Sequence, residues 1–144
     1  MIYKKNTVMN SFKDMEIYKL AFDLAIKVYI INMALPRHEL IKEGNILRRS
    51  SVGIKDLIAE GYGQGKNSAG LVRSLYQANI SCDETIALLK KIKMIHFREK
   101  TINEIIRNYI QLKNKIIWEI ESIVRNSNII AWPNPENQLI EHEI

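Results

Sequence analysis

The chain has 144 residues and a single cysteine, Cys82, so an internal disulfide is excluded and a reducing compartment is favoured. A chain of this length can form one domain that folds without a disulfide or a metal. No apolar run reaches the roughly 18 residues of a membrane span, and the N-terminus lacks the apolar core of a signal peptide. We therefore expect a cytoplasmic protein with no membrane contact.

Positive charge is concentrated in the body of the chain. The formal net charge is +5, and all 21 Lys and Arg residues precede residue 126. Three of the 16 acidic residues, Glu136, Glu141 and Glu143, follow it, so residues 1–125 carry 21 basic and 13 acidic groups, a net of +8. A compact basic body attracts polyanions over about 8 Å at physiological salt. Nucleic acid is therefore one expected partner, and a merely solvated basic surface is the alternative.

The first half of the chain contains two predicted helices. Apolar residues recur at steps of three and four, as in amphipathic helices, and residues 37–132 contain no proline. The first helix is predicted from about 13 to 33 and ends before Pro36, because the residue before a proline avoids helical angles. The second segment begins near His38, is loosened at Gly44 and continues from about Ile46 to Gly61, and the glycines at 61, 63 and 65 are predicted to end it.

Polar residues mark the starts of two further helices. Asn67 or Ser68 is predicted to cap the third helix, which runs to about residue 96. Thr101 and Glu104 have the spacing of a capping box, and they are predicted to open a fourth helix that runs to about residue 125.

Four helices joined by short connections favour antiparallel neighbours. We predict an all-α fold, an up-down-up-down antiparallel four-helix bundle that occupies residues 12–126. Residues 1–11 form an N-terminal extension. Residues 127–144 are polar, acidic and interrupted by two prolines, so they are predicted to be a flexible or docked C-terminal tail.

Motifs for catalysis or metal binding are weak in this chain. The stretch 61–67 is rich in glycine, but Glu60 stands where a Walker motif needs its first glycine, and a helix rather than a strand is predicted before it. The histidines at 38, 96 and 142 lack the spacing of metal ligands. Cys82 falls among apolar positions of the third helix, which indicates a small core residue rather than a nucleophile. We predict a protein that is not an enzyme and has no metal or cofactor.

Basic residues form the strongest candidate site, a predicted nucleic-acid surface. Arg48 and Lys55 are seven residues apart on one face of the second helix, and Arg49 flanks them. A second cluster near the end of the third helix comprises Lys90, Lys91 and Lys93.

Two alternatives to nucleic-acid binding remain open at these positions. Lysines near a helix C-terminus also stabilise the helix dipole, and the arginines could pair with a buried acid such as Glu60. Phosphate grooves commonly have aromatic platforms nearby, for which Tyr62 and Phe97 are candidates.

Several segments, in chain order, resemble those of a known family. They are residues 12–18, Leu35-Pro36 with Glu39, Arg48-Arg49, a segment we call the helix-end motif (Ile58, Ala59, Glu60, Gly61, Tyr62 and Gly63), and Ser81 with Glu84. The chain resembles the four-helix-bundle proteins encoded within intervening sequences of bacterial large-subunit ribosomal RNA genes. That family is related to the accessory variability proteins of diversity-generating retroelements. The resemblance covers roughly residues 12–125 and is most specific in the helix-end motif.

The resemblance implies a homopentameric barrel of bundles without catalytic residues. For the retroelement relatives it implies binding of a reverse transcriptase and of nucleic acid through a basic surface. For the intervening-sequence relatives an RNA-related role is supposed. The chain departs from the family pattern at Gly53 and Leu57, where Ser and Asn are usual, and at Ile80, where a small residue is usual. We hypothesise that Ile80 fills the space freed at Gly53.

Two functions are compatible with these features. The first is a non-enzymatic homopentamer that binds nucleic acid, expected to be RNA, through the predicted basic surface, with a reverse transcriptase as a further partner. The alternative is a protein–protein scaffold or adaptor without a direct nucleic-acid role, which would use apolar helix faces or Trp132 in the tail.

Overall fold

Four long helices make up the computed structural model, which describes residues 13, 15–63, 67–95 and 99–127. A short helical turn (Arg37–Glu39) and one π-helical turn (Leu40–Gly44) connect the first helix to the second. The described residues contain no strand, so the predicted all-α class is confirmed. The long helices are α1 (Glu16–Met33), α2 (Asn45–Gly63), α3 (Ser68–Ile95) and α4 (Glu99–Ser127).

Contacts between the helices show the up-down-up-down arrangement. The side chain of Asn32, near the end of α1, donates a hydrogen bond to the carbonyl of Gly44, just before α2. Lys93, near the end of α3, donates to the side chain of Asn103 in the second turn of α4. The first turn of α1 meets the second half of α4, where Lys115 Nζ lies 2.9 Å from Glu16 Oε2. Consecutive helices are therefore antiparallel, as predicted.

One apolar stripe on each helix points to a common core. Leu24, Ile54, Leu75 and Tyr109, one from each helix, are fully buried. Burial raises the pKa of the Tyr109 hydroxyl well above its usual range. The spacing of the buried positions follows the helical period, which is why the sequence predicts the helices well.

The helix ends both confirm and correct the sequence predictions. Asn67 caps α3, because its Oδ1 accepts a hydrogen bond of 2.8 Å from the Gly70 N–H. The capping box predicted at Thr101 is wrong: α4 begins at Glu99, so Thr101 lies within the first turn instead of before it. Gly61 does not end α2 either, since the helix continues to Gly63.

The connection between α1 and α2 is irregular where the sequence predicted it, at Gly44. The π-helical turn that ends there is one residue wider than an α-helical turn. The Asn32 side chain lies 2.9 Å from the Gly44 carbonyl oxygen in a buried position, and Glu43 forms an ion pair with Lys91 of α3. These contacts attach the turn to α1 and α3.

Two further observations complete the fold. None of the described helices combines the length and apolar character that crossing a membrane requires. The predicted N-terminal extension, Phe97 and Trp132 lie outside the described residues.

Candidate nucleic-acid interface

The helix-end motif packs α2 against its neighbours. A Cβ atom at Gly61 would lie only 2.9 Å from Leu71 Cδ1 and 3.1 Å from Ser74 Cβ, so the absence of a side chain lets α3 come this close. Ile58 is fully buried. The Tyr62 hydroxyl donates a hydrogen bond of 2.8 Å to Glu119 Oε2 on α4, and burial together with this bond raises the pKa of Tyr62 well above its usual range. These contacts are those of a packing element.

A cluster of hydroxyl groups sets the register between α2 and α3. Ser50 Oγ contacts Thr85 Oγ1 in a buried hydrogen bond and lies 3.3 Å from the carbonyl oxygen of Ser81. Thr85 Oγ1 donates to the same carbonyl at 2.8 Å. Ser81 therefore contributes its backbone to the cluster, whereas Glu84, one turn from Ile80, is exposed to solvent. This cluster was not predicted from the sequence, because it joins residues far apart along the chain.

The two arginines of the predicted basic surface are exposed near the start of α2. Glu60 is exposed as well, so the alternative of a buried ion pair between it and Arg48 or Arg49 is wrong. Within the part of the chain that the structure describes, neither guanidinium forms an ion pair. Both side chains are open to an external anion.

Three of the four predicted lysines have partners within the subunit. Lys55 Nζ lies 2.8 Å from Asp56 Oδ1 and 5.8 Å from the centroid of the Phe22 ring on α1. Lys91 Nζ lies 3.0 Å from Glu43 Oε2. Lys93 Nζ donates a hydrogen bond of 2.8 Å to Asn103 Oδ1. Lys90 is exposed. Surface ion pairs contribute little stability, but each engaged lysine would exchange a partner to bind phosphate.

The exposed basic groups lie toward one end of the bundle. Because Lys91 pairs with Glu43, its neighbour Lys90 is close to the turn that precedes α2, and Arg48 follows within that helix. Tyr62 is 14 residues beyond Arg48, about 21 Å along the axis, and its hydroxyl is bonded to α4. The prediction of Tyr62 as an aromatic platform beside the arginines is therefore wrong. We use the term basic end for Arg48, Arg49 and Lys90.

Other candidate chemical groups are part of the packing. Cys82 is fully buried, which confirms it as a core residue, and burial raises its pKa to about 12. Asp83 is paired with Lys113 of α4. Over the described ranges, no group of three or more His, Cys, Asp or Glu side chains is arranged to hold a metal ion.

The hypothesis that Ile80 fills space at Gly53 is wrong. Among the described residues, no atom lies within 4 Å of a Cβ built at Gly53, and Ile80 is 45% exposed.

An apolar surface that was not predicted from the sequence lies on α1, where one face is buried in the core and a second is exposed. The signal was present in the sequence, since apolar residues occur on both faces of this helix.

The fold and the site together define a small helical-bundle protein with a packing motif at one end of α2 and exposed basic groups toward the other. Residues 13–118 match the family described as 23S rRNA-intervening sequence protein. The chain belongs to this family, and the resemblance to it is confirmed. Comparison with curated proteins and with solved structures found no match for the chain.

Proposed function

We propose that this chain is a non-enzymatic homo-oligomer, a pentamer, that binds RNA through its basic end. The observation that carries the proposal is the exposure of Arg48, Arg49 and Lys90 toward one end of the bundle, on a body with a net charge of +8. Membership of a family named for an intervening sequence of 23S rRNA supports RNA as the nucleic acid.

Whether a basic side chain is exposed or already paired determines how much it can contribute to RNA binding. An exposed guanidinium can form two parallel hydrogen bonds with a phosphate group, and the two arginines give up no ion pair with the described residues to do so. Lys55, Lys91 and Lys93 each have a partner in the subunit. The arginines and Lys90 therefore make the primary contacts, and the other three lysines act as secondary sources of positive potential.

Assembly strengthens the electrostatic argument. Five copies multiply the body charge fivefold, and polyanion affinity rises with the number of phosphates neutralised. Light scattering is expected to give a mass of five times 16.8 kDa. A monomeric mass would contradict the pentamer, and it would leave the basic end to be tested separately by binding.

The test of RNA binding compares two charge-reversal variants of equal charge change. We expect the wild-type affinity for a structured RNA, measured by fluorescence anisotropy, to fall steeply between low and high salt. Arg48→Glu with Arg49→Glu should abolish binding at moderate salt. Arg73→Glu with Arg125→Glu is the matched control, because both residues are exposed and lie at the opposite end of the bundle.

Two outcomes would contradict this proposal. Equal losses in both variants would show that net charge, rather than the basic end, determines affinity. Wild-type protein that fails to bind RNA at low salt would exclude the function itself. Circular dichroism should remain helical in both variants, since neither pair of residues contributes to the core.

A second candidate function is a protein scaffold, which one observation favours. Trp118 is 67% exposed and Ile110 is 46% exposed, and their spacing of eight residues places both on one face of α4. A scaffold would use this apolar face to bind a protein partner, whereas the reverse transcriptase that the family's relation to retroelement accessory proteins implies belongs with the RNA-binding proposal. Such binding should tolerate high salt and be lost in Trp118→Ala. Co-purification with a reverse transcriptase that depends on Arg48 instead would favour the basic end as the protein contact.

A further inference from the structure

Aromatic rings on α1 and basic side chains on α2 line the groove between these two helices. Phe22 and Tyr29 of α1 are 42% and 55% exposed, and their spacing of seven residues places both rings on one face of the helix. Arg48 and Lys55 of α2 have the same spacing and therefore also share one face. We call this groove the aromatic track; it comprises Phe22, Tyr29, Arg48 and Lys55.

One contact shows how the rings and the basic groups are matched. Lys55 Nζ lies 5.8 Å from the centroid of the Phe22 ring. Because α1 and α2 are antiparallel, seven residues forward from Phe22 to Tyr29 correspond to seven residues back from Lys55 to Arg48. Arg48 is therefore level with Tyr29, as Lys55 is with Phe22, so a ring and a basic group occur together at two levels of the groove.

A second contact gives the same register nearer the basic end. Asn32, three residues after Tyr29, donates a hydrogen bond to the carbonyl of Gly44, four residues before Arg48. The aromatic track therefore begins at the basic end, with which it shares Arg48. From there it runs along the groove to Phe22, and its two levels are about 10.5 Å apart along the helix axis.

A surface depression adjoins the track at its far end. It is lined by Lys13, Tyr18, Lys19, Phe22 and Asp23. The rings of Tyr18 and Phe22 pack edge to face, with their centroids 6.1 Å apart, which holds the Phe22 ring in place. Two lysines and one carboxylate leave the lining positive, and the Asp23 carboxylate can accept a hydrogen bond from a base amino group or a ribose hydroxyl.

We propose that the aromatic track binds an unpaired stretch of RNA, whose bases stack on the two rings while its phosphates contact the arginine and the lysine. A row of aromatic platforms beside spaced basic groups is how proteins hold single strands without reading their sequence. Bases that are splayed out of a helix are available to such rings, whereas paired bases are not. The inference rests on the RNA binding of the proposed function and names the part of the RNA that is recognised.

The spacing of the track suits an extended strand. The two rings are separated by about 10.5 Å along the axis, roughly three times the rise of about 3.4 Å per nucleotide along a duplex strand. Bases on the two rings are therefore not neighbours in one stack, and at least one nucleotide lies between them. Ile26, which is 46% exposed, lies between the rings on α1 and offers that nucleotide an apolar surface.

The two basic groups of the track differ in what they give up to bind phosphate. Lys55 Nζ lies 2.8 Å from Asp56 Oδ1, a surface pair of little energetic weight. Arg48 has no ion pair with any described residue. The arginine therefore makes the stronger phosphate contact, and the lysine adds positive potential beside the Phe22 ring.

The first experiment measures the RNA affinity of the full chain by fluorescence anisotropy. The probes are an unstructured single strand of about 12 nucleotides, within the usual site sizes, and a duplex of equal length. Phe22→Ala with Tyr29→Ala should weaken binding of the single strand at least about tenfold and leave binding of the duplex unchanged. The slope of log affinity against log salt should also stay unchanged, because no phosphate contact is lost.

Three control variants separate stacking from packing. Phe22→Tyr with Tyr29→Phe keeps both rings and should keep the wild-type affinity. Phe22→Leu with Tyr29→Leu keeps an apolar surface without rings and should lose as much affinity as the alanine variant. Trp118→Ala removes a ring that is 67% exposed on α4 and should leave the affinity unchanged. Circular dichroism should stay helical throughout, since these side chains are exposed.

The second experiment locates the bases on the protein. A single strand that carries 4-thiouridine is irradiated in complex with the wild-type chain, and the cross-linked residues are identified by mass spectrometry. We expect cross-links at Phe22 and Tyr29. The same strand should give fewer cross-links at these positions with Arg48→Glu, because the arginine holds the phosphates beside the rings.

Each alternative result overturns the inference. Wild-type affinity in the alanine variant would show that the rings do not contact RNA, and the arginine variants would then still decide the proposed function. Equal losses for the single strand and the duplex would show an indirect effect of the substitutions. Cross-links confined to α3 or α4 would place the strand elsewhere. Wild-type protein that binds neither probe at low salt would overturn the inference together with the proposed function.

Discussion

Two glycines eight residues apart on α2 have opposite surroundings. A Cβ at Gly61 would lie 2.9 Å from Leu71 Cδ1, whereas a Cβ at Gly53 would meet no atom of the described residues within 4 Å. The first glycine lies in the helix-end motif, the segment in which the chain most specifically resembles its family. The second lies near the exposed Arg48 and Arg49. The most recognisable motif therefore packs helices together within the subunit, whereas the exposed arginines lie toward the other end of α2.

The largest expected difference between the two regions is in core packing. Ile58, in the helix-end motif, is fully buried, whereas Met94, near the opposite end of the bundle, is 86% exposed. Ile58→Ala should lower the free energy of unfolding by about 2–5 kcal/mol, because it removes buried surface and leaves a cavity. Met94→Ala should change it by less than about 0.5 kcal/mol. Equal values in urea denaturation would contradict the contrast.

Gly61 tests whether the close approach of α2 and α3 is required. Gly61→Ala should lower the free energy of unfolding by about 1–3 kcal/mol, because the added methyl group would overlap Leu71 and Ser74. The higher helix propensity of alanine acts in the opposite direction but is smaller. Guanidinium denaturation gives the measurement. A stability equal to or above that of wild type would show that the two helices can separate without cost.

The sequence predicts the helices well because their apolar periodicity is local. Each core stripe can be recognised within a window of a few turns, and the Asn67 cap within four residues. The sequence predicts the first residue of a helix less well, since Thr101 has the pattern of a capping box and yet lies inside α4. Two residues of helix, Glu99 and Lys100, precede Thr101, and the sequence pattern of a capping box does not exclude them.

The candidate site was less predictable because the states of its side chains depend on distant partners. Lys91 and Glu43 are 48 residues apart in the chain, and Tyr62 and Glu119 are 57 apart. A pattern of basic residues therefore cannot separate engaged lysines from exposed arginines. The two roles of glycine in α2 are equally invisible in sequence, because both residues lie within a helix and differ only in what packs opposite them.

Two tyrosines extend the comparison of the helix-end motif with exposed surface from apolar to polar side chains. Tyr62→Phe removes a hydrogen bond of 2.8 Å to Glu119 in a half-buried position and should lower the free energy of unfolding by about 1 kcal/mol. Tyr29→Phe is the control, because Tyr29 is 55% exposed on α1 and should leave stability nearly unchanged. Thermal unfolding of the two variants in parallel gives the comparison. A larger loss of stability for Tyr29→Phe than for Tyr62→Phe would contradict this prediction.

The smallest effect that we expect is a gain in stability rather than a loss. Gly53→Ala should raise the free energy of unfolding by about 0.5–1 kcal/mol, because alanine costs less entropy in a helix and its methyl group has room within the subunit. Urea denaturation of this variant beside wild type gives the measurement.

Opposite signs for the same substitution at Gly53 and Gly61 would establish that the two glycines serve different purposes. If Gly53→Ala lowered the free energy of unfolding as Gly61→Ala does, the space at Gly53 would be filled from within the subunit, and the two glycines would share one structural role.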